Sequence, residues 1–249
     1  MSATERRAAP RTAVVWDVLD PVLGSAAAPD GPLEVLDIGG GTGGSAVRIA
    51  ADGHRVSVVD PSPDALAALA RRAGELGVEV SGRQGDVTDL AALYPEAGFD
   101  LVLCHGVLEV VDDPATALAA IRRVLRPGGA LSLLVAQRHA AVVARAMAGH
   151  FAHARALLDD PAPVGTSAGP SGSSRAGRRF TADEAGDLLV TAGFVVEQVH
   201  AVRVFADLVP GSLLDLEPGA PAALVELERA VAARPEYLPL ASQVHLLAR

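Results

Sequence analysis

Leu36-Asp37-Ile38-Gly39-Gly40-Gly41-Thr42-Gly43-Gly44 is the stretch that decides the fold of this chain. Residues 34–38 read as a short buried strand and Ser45 to Ala51 as a helix, so the glycines form the turn between them. Gly39, Gly41 and Gly43 let backbone approach a ligand where a Cβ would clash. A strand that turns on glycines into a helix marks the nucleotide-cofactor corner of a doubly wound α/β fold. Gly39, Gly41 and Gly44 also meet the G-x-G-x-x-G spacing of dinucleotide binders, a weak signal when it stands alone. Asp37, two residues before the first glycine, separates the readings. A pyrophosphate at this turn would meet its carboxylate, whereas a cationic or zwitterionic ligand would be attracted to it.

Outward from this turn, strands and helices alternate. Thr12 to Leu23 carries Val14, Val15, Val18, Leu19 and Val22 at helical spacing, with Arg11 just ahead. Arg55 to Val59 is a second strand ending at Asp60, and Pro63 to Leu76 is an Ala/Leu helix stopped by Gly77. Val78 to Ser81 is a third strand, followed by Gly85-Asp86-Val87 on a loop. Phe99 to Cys104 is a continuous apolar strand, as a central parallel strand should be. Asp113 caps a helix over Pro114 to Leu125, Arg126 to Gly129 make a turn, and Ala130 to Ala136 is the fifth strand. Residues 159–177 are rich in Pro, Gly, Ser and Ala and read as a mobile loop. Thr181 to Thr191 is a helix, Gly193 to Val204 a strand, Pro221 to Ala233 a helix and Val244 to Ala248 a last strand. The alternation predicts a parallel sheet with helices on both faces, in one domain over 1–249.

Composition narrows the class. The 249 residues suffice for a full core, and half are apolar, without a run long enough to span a bilayer. Met1 to Arg11 lacks the apolar stretch of a signal peptide. The single cysteine, Cys104, excludes an internal disulfide, fits a reducing compartment and reads as a small core residue. No metal site is expected, nor a membrane partner, and the expected location is the cytoplasm. All 21 basic residues are arginine, and the net charge of −9 argues against broad, non-specific nucleic-acid binding.

Four further features follow the glycine turn in order. Asp60, at the end of the second strand, is placed to accept the two hydroxyls of a ribose; it also reads as a helix cap. Asp86 stands where the amino group of an adenine needs an acceptor, with Val87 against the ring; a lone loop aspartate is also often simply solvated. Cys104-His105-Gly106 ends the fourth strand, on the edge where such sheets bind ligands. Leu125-Arg126-Pro127-Gly128-Gly129 precedes the fifth. A sulfonium, an α-amino group and no phosphate make S-adenosylmethionine the ligand that Asp37 favours.

Asp37-x-Gly39-x-Gly41-x-Gly43, Asp60, Gly85-Asp86-Val87 and Leu125 to Gly129 together resemble a class I S-adenosylmethionine-dependent methyltransferase over about residues 33–136. The resemblance implies a seven-stranded, mainly parallel, Rossmann-like sheet with one antiparallel C-terminal strand. Residues 105–114, Arg203-Val204-Phe205 with Asp207, Leu227-Glu228 and Val244-His245 resemble a narrower group, the bacterial tRNA 5-carboxymethoxyuridine methyltransferases. That resemblance implies that Arg11, Gly39, Gly40, Asp60, Asp86 and His105 contact S-adenosylmethionine, and the residue chemistry of the turn and loop adds Asp37, Gly41 and Val87. It makes Arg203 the partner of a substrate carboxylate in tRNA. The chain departs from that group at Val110, where a tryptophan is expected, and at Gln137, where an asparagine is expected. A Lys-rich stretch gives way to the Pro/Gly/Ser segment with Arg175, Arg178 and Arg179.

A carboxylate acceptor is ionised at neutral pH and needs no base; a hydroxyl acceptor would need one, for which His105 or His139 are the candidates. Glu109 reads as structural. The acidic balance and an aromatic content of only 3% favour a small-molecule O- or N-methyltransferase of secondary metabolism as the alternative. A non-catalytic cofactor-binding module or a dehydrogenase on the same turn is the third class.

Overall fold

Parallel pairing of the strand before the glycine turn with two apolar neighbours organises this computed structural model, which describes residues 3–25, 31–159, 177–216 and 219–249. The loop expected over 159–177 lies, apart from its two end residues, outside the described residues. The chain runs α1 (Ala3–Ser25), β1 (Glu34–Ile38), α2 (Gly44–Ala51), β2 (Arg55–Asp60), α3 (Pro63–Leu76) and β3 (Val80–Gln84). A single turn of 3₁₀ helix (Val87–Asp89) leads to α4 (Leu90–Leu93), β4 (Phe99–His105), α5 (Pro114–Val124) and β5 (Leu125–Ala136). Then come α6 (Arg138–Met147), α7 (Phe151–Asp159), α8 (Ala182–Thr191), β6 (Val196–Val202), α9 (Gly211–Leu216), α10 (Ala220–Ala232) and β7 (Gln243–Ala248).

The seven strands form one sheet in the order β3-β2-β1-β4-β5-β7-β6. β1 is parallel to β2, with Asp37 opposite Val58, and to β4, with Ile38 opposite Cys104. β7 lies between β5 and β6 and is antiparallel to both; Val195 and Arg249 exchange both backbone hydrogen bonds there. This is the seven-stranded, mainly parallel sheet with one antiparallel C-terminal strand that the methyltransferase resemblance implies; the alternation of elements alone predicts a wholly parallel one. No described helix is long and apolar enough to cross a membrane.

Two compact units divide the chain. The first, residues 21–133, 187–197 and 246–249, contains the glycine turn. Val35, Leu36, Ile38, Val58, Val59 and Leu101 to Cys104 are fully or almost fully buried in it, as a sheet covered on both faces requires. Its helices start where capping chemistry dictates. Ser62 Oγ accepts the Ala65 N–H ahead of Pro63, and Asp113 accepts the Ala115 N–H ahead of Pro114. The second unit comprises residues 1–20, 134–186 and 198–245. Here Thr181 and Glu184 form a reciprocal capping box at α8. Gln137 caps α6 with its side-chain oxygen and donates to Leu238 O at 3.0 Å.

Several element bounds differ from the sequence reading. α1 begins at Ala3 rather than Thr12, because Ala and Arg favour helix and Pro10 removes only one hydrogen bond from it. β3 is Val80–Gln84, an exposed edge strand whose polar residues concealed its register. β5 starts at Leu125, so Arg126 to Gly129 belong to the strand instead of forming a separate turn. Arg126 binds the Asp100 carboxylate of β4, and Arg249 donates to Gly128 O at 2.8 Å. β6 stops at Val202, where Arg203 turns into a left-handed conformation. α4, α7 and α9 are further helices, short or weakly periodic in sequence.

Gly43, the N-cap of α2, has φ +76°, and a Cβ there would lie 2.1 Å from Leu69 Cδ1. Gly43→Ala is expected to lower unfolding free energy by about 1–3 kcal/mol through strain and overpacking. Gly53→Ala, at φ +94° in open space, should cost about 1 kcal/mol from the backbone alone. Urea denaturation of both variants checks this, and equal losses would remove the packing component.

Candidate functional site

The first unit gathers carboxylates around backbone N–H groups. Gly39 donates to Val59 O at 2.7 Å, which draws the turn against the end of β2. Gly41 then donates to Asp60 Oδ2 at 2.9 Å, while Ser62 N–H donates to Asp60 Oδ1 at 2.8 Å. Asp60 thus ties the glycine turn to the start of α3. Its carboxylate oxygens retain lone pairs beyond these two bonds. Gly40 is held close above Asp37: a Cβ there would lie 2.7 Å from Asp37 Oδ2. Asp37 is buried, and burial, reinforced by the Asp60 charge, pushes its pKa up to about 7.

The adjoining loop is anchored to the same strand end, with Gly85 N–H donating to Asp60 O at 3.3 Å. Asp86 caps the 3₁₀ turn: its Oδ1 accepts the Thr88 N–H at 2.7 Å, and its own N–H donates to Asp89 Oδ2 at 2.9 Å. The bonds from Thr88 hold its carboxyl below the usual range. Val87 is buried beside it. Asp37, Gly39, Gly40, Gly41, Asp60 and Asp86 therefore belong to one connected set at the ends of β1, β2 and β3. At the end of β4, His105 Nε2 lies 2.8 Å from Ser132 Oγ, and burial pushes the imidazole down to about 4. His105 is neutral at pH 7 and a weak base. Cys104 is fully buried and its thiol is pushed well above the usual range by that burial, as a core residue.

The second unit contains Arg11 and Arg203. Arg203 Nη2 donates to Asp207 Oδ1 at 2.7 Å and Nη1 to Gln243 Oε1 at 3.3 Å. Arg203 Nε is buried without a hydrogen-bond partner among the described residues. Arg11 Nη2 approaches the same Asp207 oxygen at 3.5 Å, so one carboxylate joins both arginines. A cavity of about 310 Å³ is lined by Arg145, Arg179, Arg203, Asp207, Gln243 and the alanine face of α6. His139 is at the start of α6, its Nδ1 3.4 Å from the Gln137 side-chain nitrogen. Sequence reasoning assigned no role to Asp207, Gln243 or Ser132. The four-residue spacing of Arg203 and Asp207 was a usable signal of an ion pair, whereas Gln243 is brought in by β7 from far along the chain. Among the described residues no cluster of side chains has the makings of a metal site.

The raised pKa of Asp37 has a definite consequence for stability. The folded protein binds this proton more tightly than the unfolded chain, whose carboxyl titrates near 3.8. Its contribution is therefore fully present below pH 4 and is lost as pH rises to about 7, at up to about 1.4 kcal/mol per pH unit. Asp37→Asn should flatten that slope. Chemical denaturation across this range measures it, and an unchanged slope would show that Asp37 is ionised in the folded protein throughout.

Residues 36–133 match the model of a methyltransferase domain. The chain is 31% identical over 243 residues to the tRNA 5-carboxymethoxyuridine methyltransferase of Escherichia coli, covering 96% of this chain and 87% of the relative. It is 37% identical to the ubiquinone biosynthesis O-methyltransferase of Xanthomonas euvesicatoria, but over 123 residues only, 49% of this chain and 51% of that one. Among solved structures, the S-adenosylmethionine-dependent methyltransferase of Methanosarcina mazei superposes with a TM-score of 0.61 at 16% identity, over 90% of this chain and 95% of that one. That likeness establishes the fold, and the cofactor of the fold family is S-adenosylmethionine. Similarity to the Escherichia coli enzyme runs far past the shared cofactor half: the chain belongs to the tRNA 5-carboxymethoxyuridine methyltransferase family of S-adenosylmethionine-dependent methyltransferases.

Proposed function

We propose that this methyltransferase esterifies a carboxylate on its acceptor, that of a 5-carboxymethoxyuridine in tRNA, and that Arg203 binds that carboxylate. The observation that carries this reading is the cavity of the second unit, lined by Arg145, Arg179 and Arg203 with a single carboxylate, Asp207. Such a lining attracts an anionic ligand, and a guanidinium offers a planar fork matched to a carboxylate. The neutral, weakly basic His105 supports the same reading, because a carboxylate needs no proton removed.

The glycine turn suits S-adenosylmethionine on this structure's own chemistry. Asp37 is a buried acid without a paired cation in its described surroundings, a setting in which a positively charged group is stabilised. Gly41 leaves room at the turn, since a Cβ there would meet nothing nearer than 3.9 Å. Asp60 would hold the ribose, Asp86 and Val87 the adenine, and Asp37 with Gly39 and Gly40 the amino-acid end; His105 would complete the set. When bound, S-adenosylmethionine would supply an electrophilic methyl group: a carboxylate oxygen would form the new O–C bond as the sulfonium S–C bond breaks, releasing S-adenosylhomocysteine, with no proton to be removed from the acceptor. The chain's residues then act mainly by positioning, an effect that can supply roughly 7–11 kcal/mol.

The match to the ubiquinone biosynthesis O-methyltransferase over half the chain favours a second reading, a small-molecule O- or N-methyltransferase. Incubating the enzyme and cofactor with tRNA that carries the free acid, followed by nucleoside mass spectrometry, decides between them. The methyl ester is the expected product; unmodified tRNA would favour the small-molecule acceptor.

Two substitutions test the residue roles. Asp60→Ala should weaken S-adenosylmethionine binding at least about tenfold, since it removes an acceptor at a buried site and releases the Gly41 N–H. Calorimetric titration showing unchanged affinity would take Asp60 out of the site. Arg203→Ala should lower kcat/KM for the tRNA acceptor at least about tenfold with cofactor affinity unchanged, and Arg203→Lys should fall between because it lacks the fork. Wild-type turnover by Arg203→Ala would refute the carboxylate-binding role.

A further inference from the structure

Arg203 is one of two non-glycine residues with positive φ among the described residues, at φ +62°. L-residues with long side chains rarely adopt that conformation, and they hold it only when their surroundings impose it. The segment that follows Arg203 is held by Glu228, fully buried on α10. Glu228 Oε2 accepts the Val204 N–H at 3.0 Å, and Oε1 accepts those of Phe205 and Ala206, each at 2.8 Å. Three successive N–H groups converging on one carboxylate form an anion nest in the backbone, and this one begins immediately after Arg203. The nest is sealed by an apolar cluster of Ala201, Val204, Val231 and Ala241, with Phe205 and Tyr237 packed against it. Ser242 N–H donates to Arg203 O at 3.2 Å and fixes the other side of the residue.

We propose that Glu228 is a positioning residue for the reaction: its carboxylate clamps residues 204–206 and so aims the Arg203 guanidinium at the acceptor. This rests on the role of Arg203 in the proposed function. The same clamp sets the partner that steers the guanidinium. Ala206 is held directly, and the turn that follows, closed by Leu208 and Val209 N–H donating to Phe205 O, carries Asp207, which binds Arg203 Nη2. A carboxylate suits this task because each of its oxygens accepts and neither donates. In Glu228→Gln the amide oxygen can keep the Phe205 and Ala206 N–H groups, but the amide NH₂ then faces the Val204 N–H, donor against donor. The bond next to Arg203 is lost first.

The test uses the whole enzyme and reads Arg203 directly. The Arg203 Nε–H resonance in a ¹⁵N-labelled sample, assigned by its disappearance in Arg203→Lys, should be shifted and slowly exchanging in the wild type. In Glu228→Gln it should collapse toward the exposed arginines. With tRNA carrying free 5-carboxymethoxyuridine, kcat/KM should fall at least about tenfold while cofactor affinity stays within about twofold. In an Arg203→Ala background the same change should have less than about a twofold further effect, which a loss of fold alone would not produce. Should Glu228→Gln fail to fold, Glu228→Asp, which withdraws the carboxylate by one methylene, provides the same comparison. An unaltered Arg203 resonance in the folded variant overturns the positioning role, whatever the turnover. A collapsed resonance with wild-type turnover instead supports the clamp and overturns the part given to Arg203 in the proposed function.

Discussion

One hydrogen bond organises the unit that contains the glycine turn: from the Gly41 N–H to the Asp60 carboxylate, at 2.9 Å. It joins the turn after β1 to the end of β2, and Asp60 also takes the Ser62 N–H that opens α3. The parallel register of β1 on β2 brings these ends together, and Gly39 N–H to Val59 O closes the corner. Residues of the connected set then follow from where the strands end. Because parallel strands all terminate at the same edge, groups distant in sequence meet there without any long loop to carry them.

The chemistry of that corner is acidic. Asp37 is buried beside Asp60, with Gly40 so close that no side chain fits between. A buried carboxylate near a second one resists ionising, and a cationic ligand reverses that balance. The second unit is built the other way. There Asp207 is shared by Arg11 and Arg203, and Arg145 and Arg179 line the same cavity. In an acidic protein of net charge −9, a cavity lined by three arginines is a local reversal of sign. Such a cluster of guanidinium groups in one cavity differs from the broad basic surface that phosphate neutralisation along a nucleic acid uses.

The buried polar groups of the second unit serve backbone geometry. Gln137, in place of the asparagine expected there, caps α6 and reaches Leu238 O. Glu228 gathers three N–H groups that no strand or helix uses. Each satisfies donors or acceptors that would otherwise be buried and unpaired, which is why both side chains are almost fully enclosed.

Local chemistry made much of this fold legible in the sequence. Glycines between an apolar strand and a helix, Ser62 and Asp113 before prolines, and continuous apolar runs at β1 and β4 each act within a few residues, so their consequences follow from order alone. Asp37, Asp60 and Asp86 could be singled out because strand ends in a parallel sheet share one edge. The limits of β3 are hidden in the sequence because it is an exposed edge strand of polar residues, and the start of β5 because it depends on partners, Arg126 with Asp100 and Arg249 with Gly128, that only folding supplies. The pKa of Asp37 and the weak basicity of His105 come from burial, which no local pattern encodes. Tertiary structure alone decided that Arg203 has a left-handed backbone, that Gln243 meets its guanidinium, and that Glu228 takes the three N–H groups that follow it. Those contacts span 40 residues for Gln243 and 24 from Glu228 to Val204, and side chains so far apart in sequence have no relation until the elements carrying them pack.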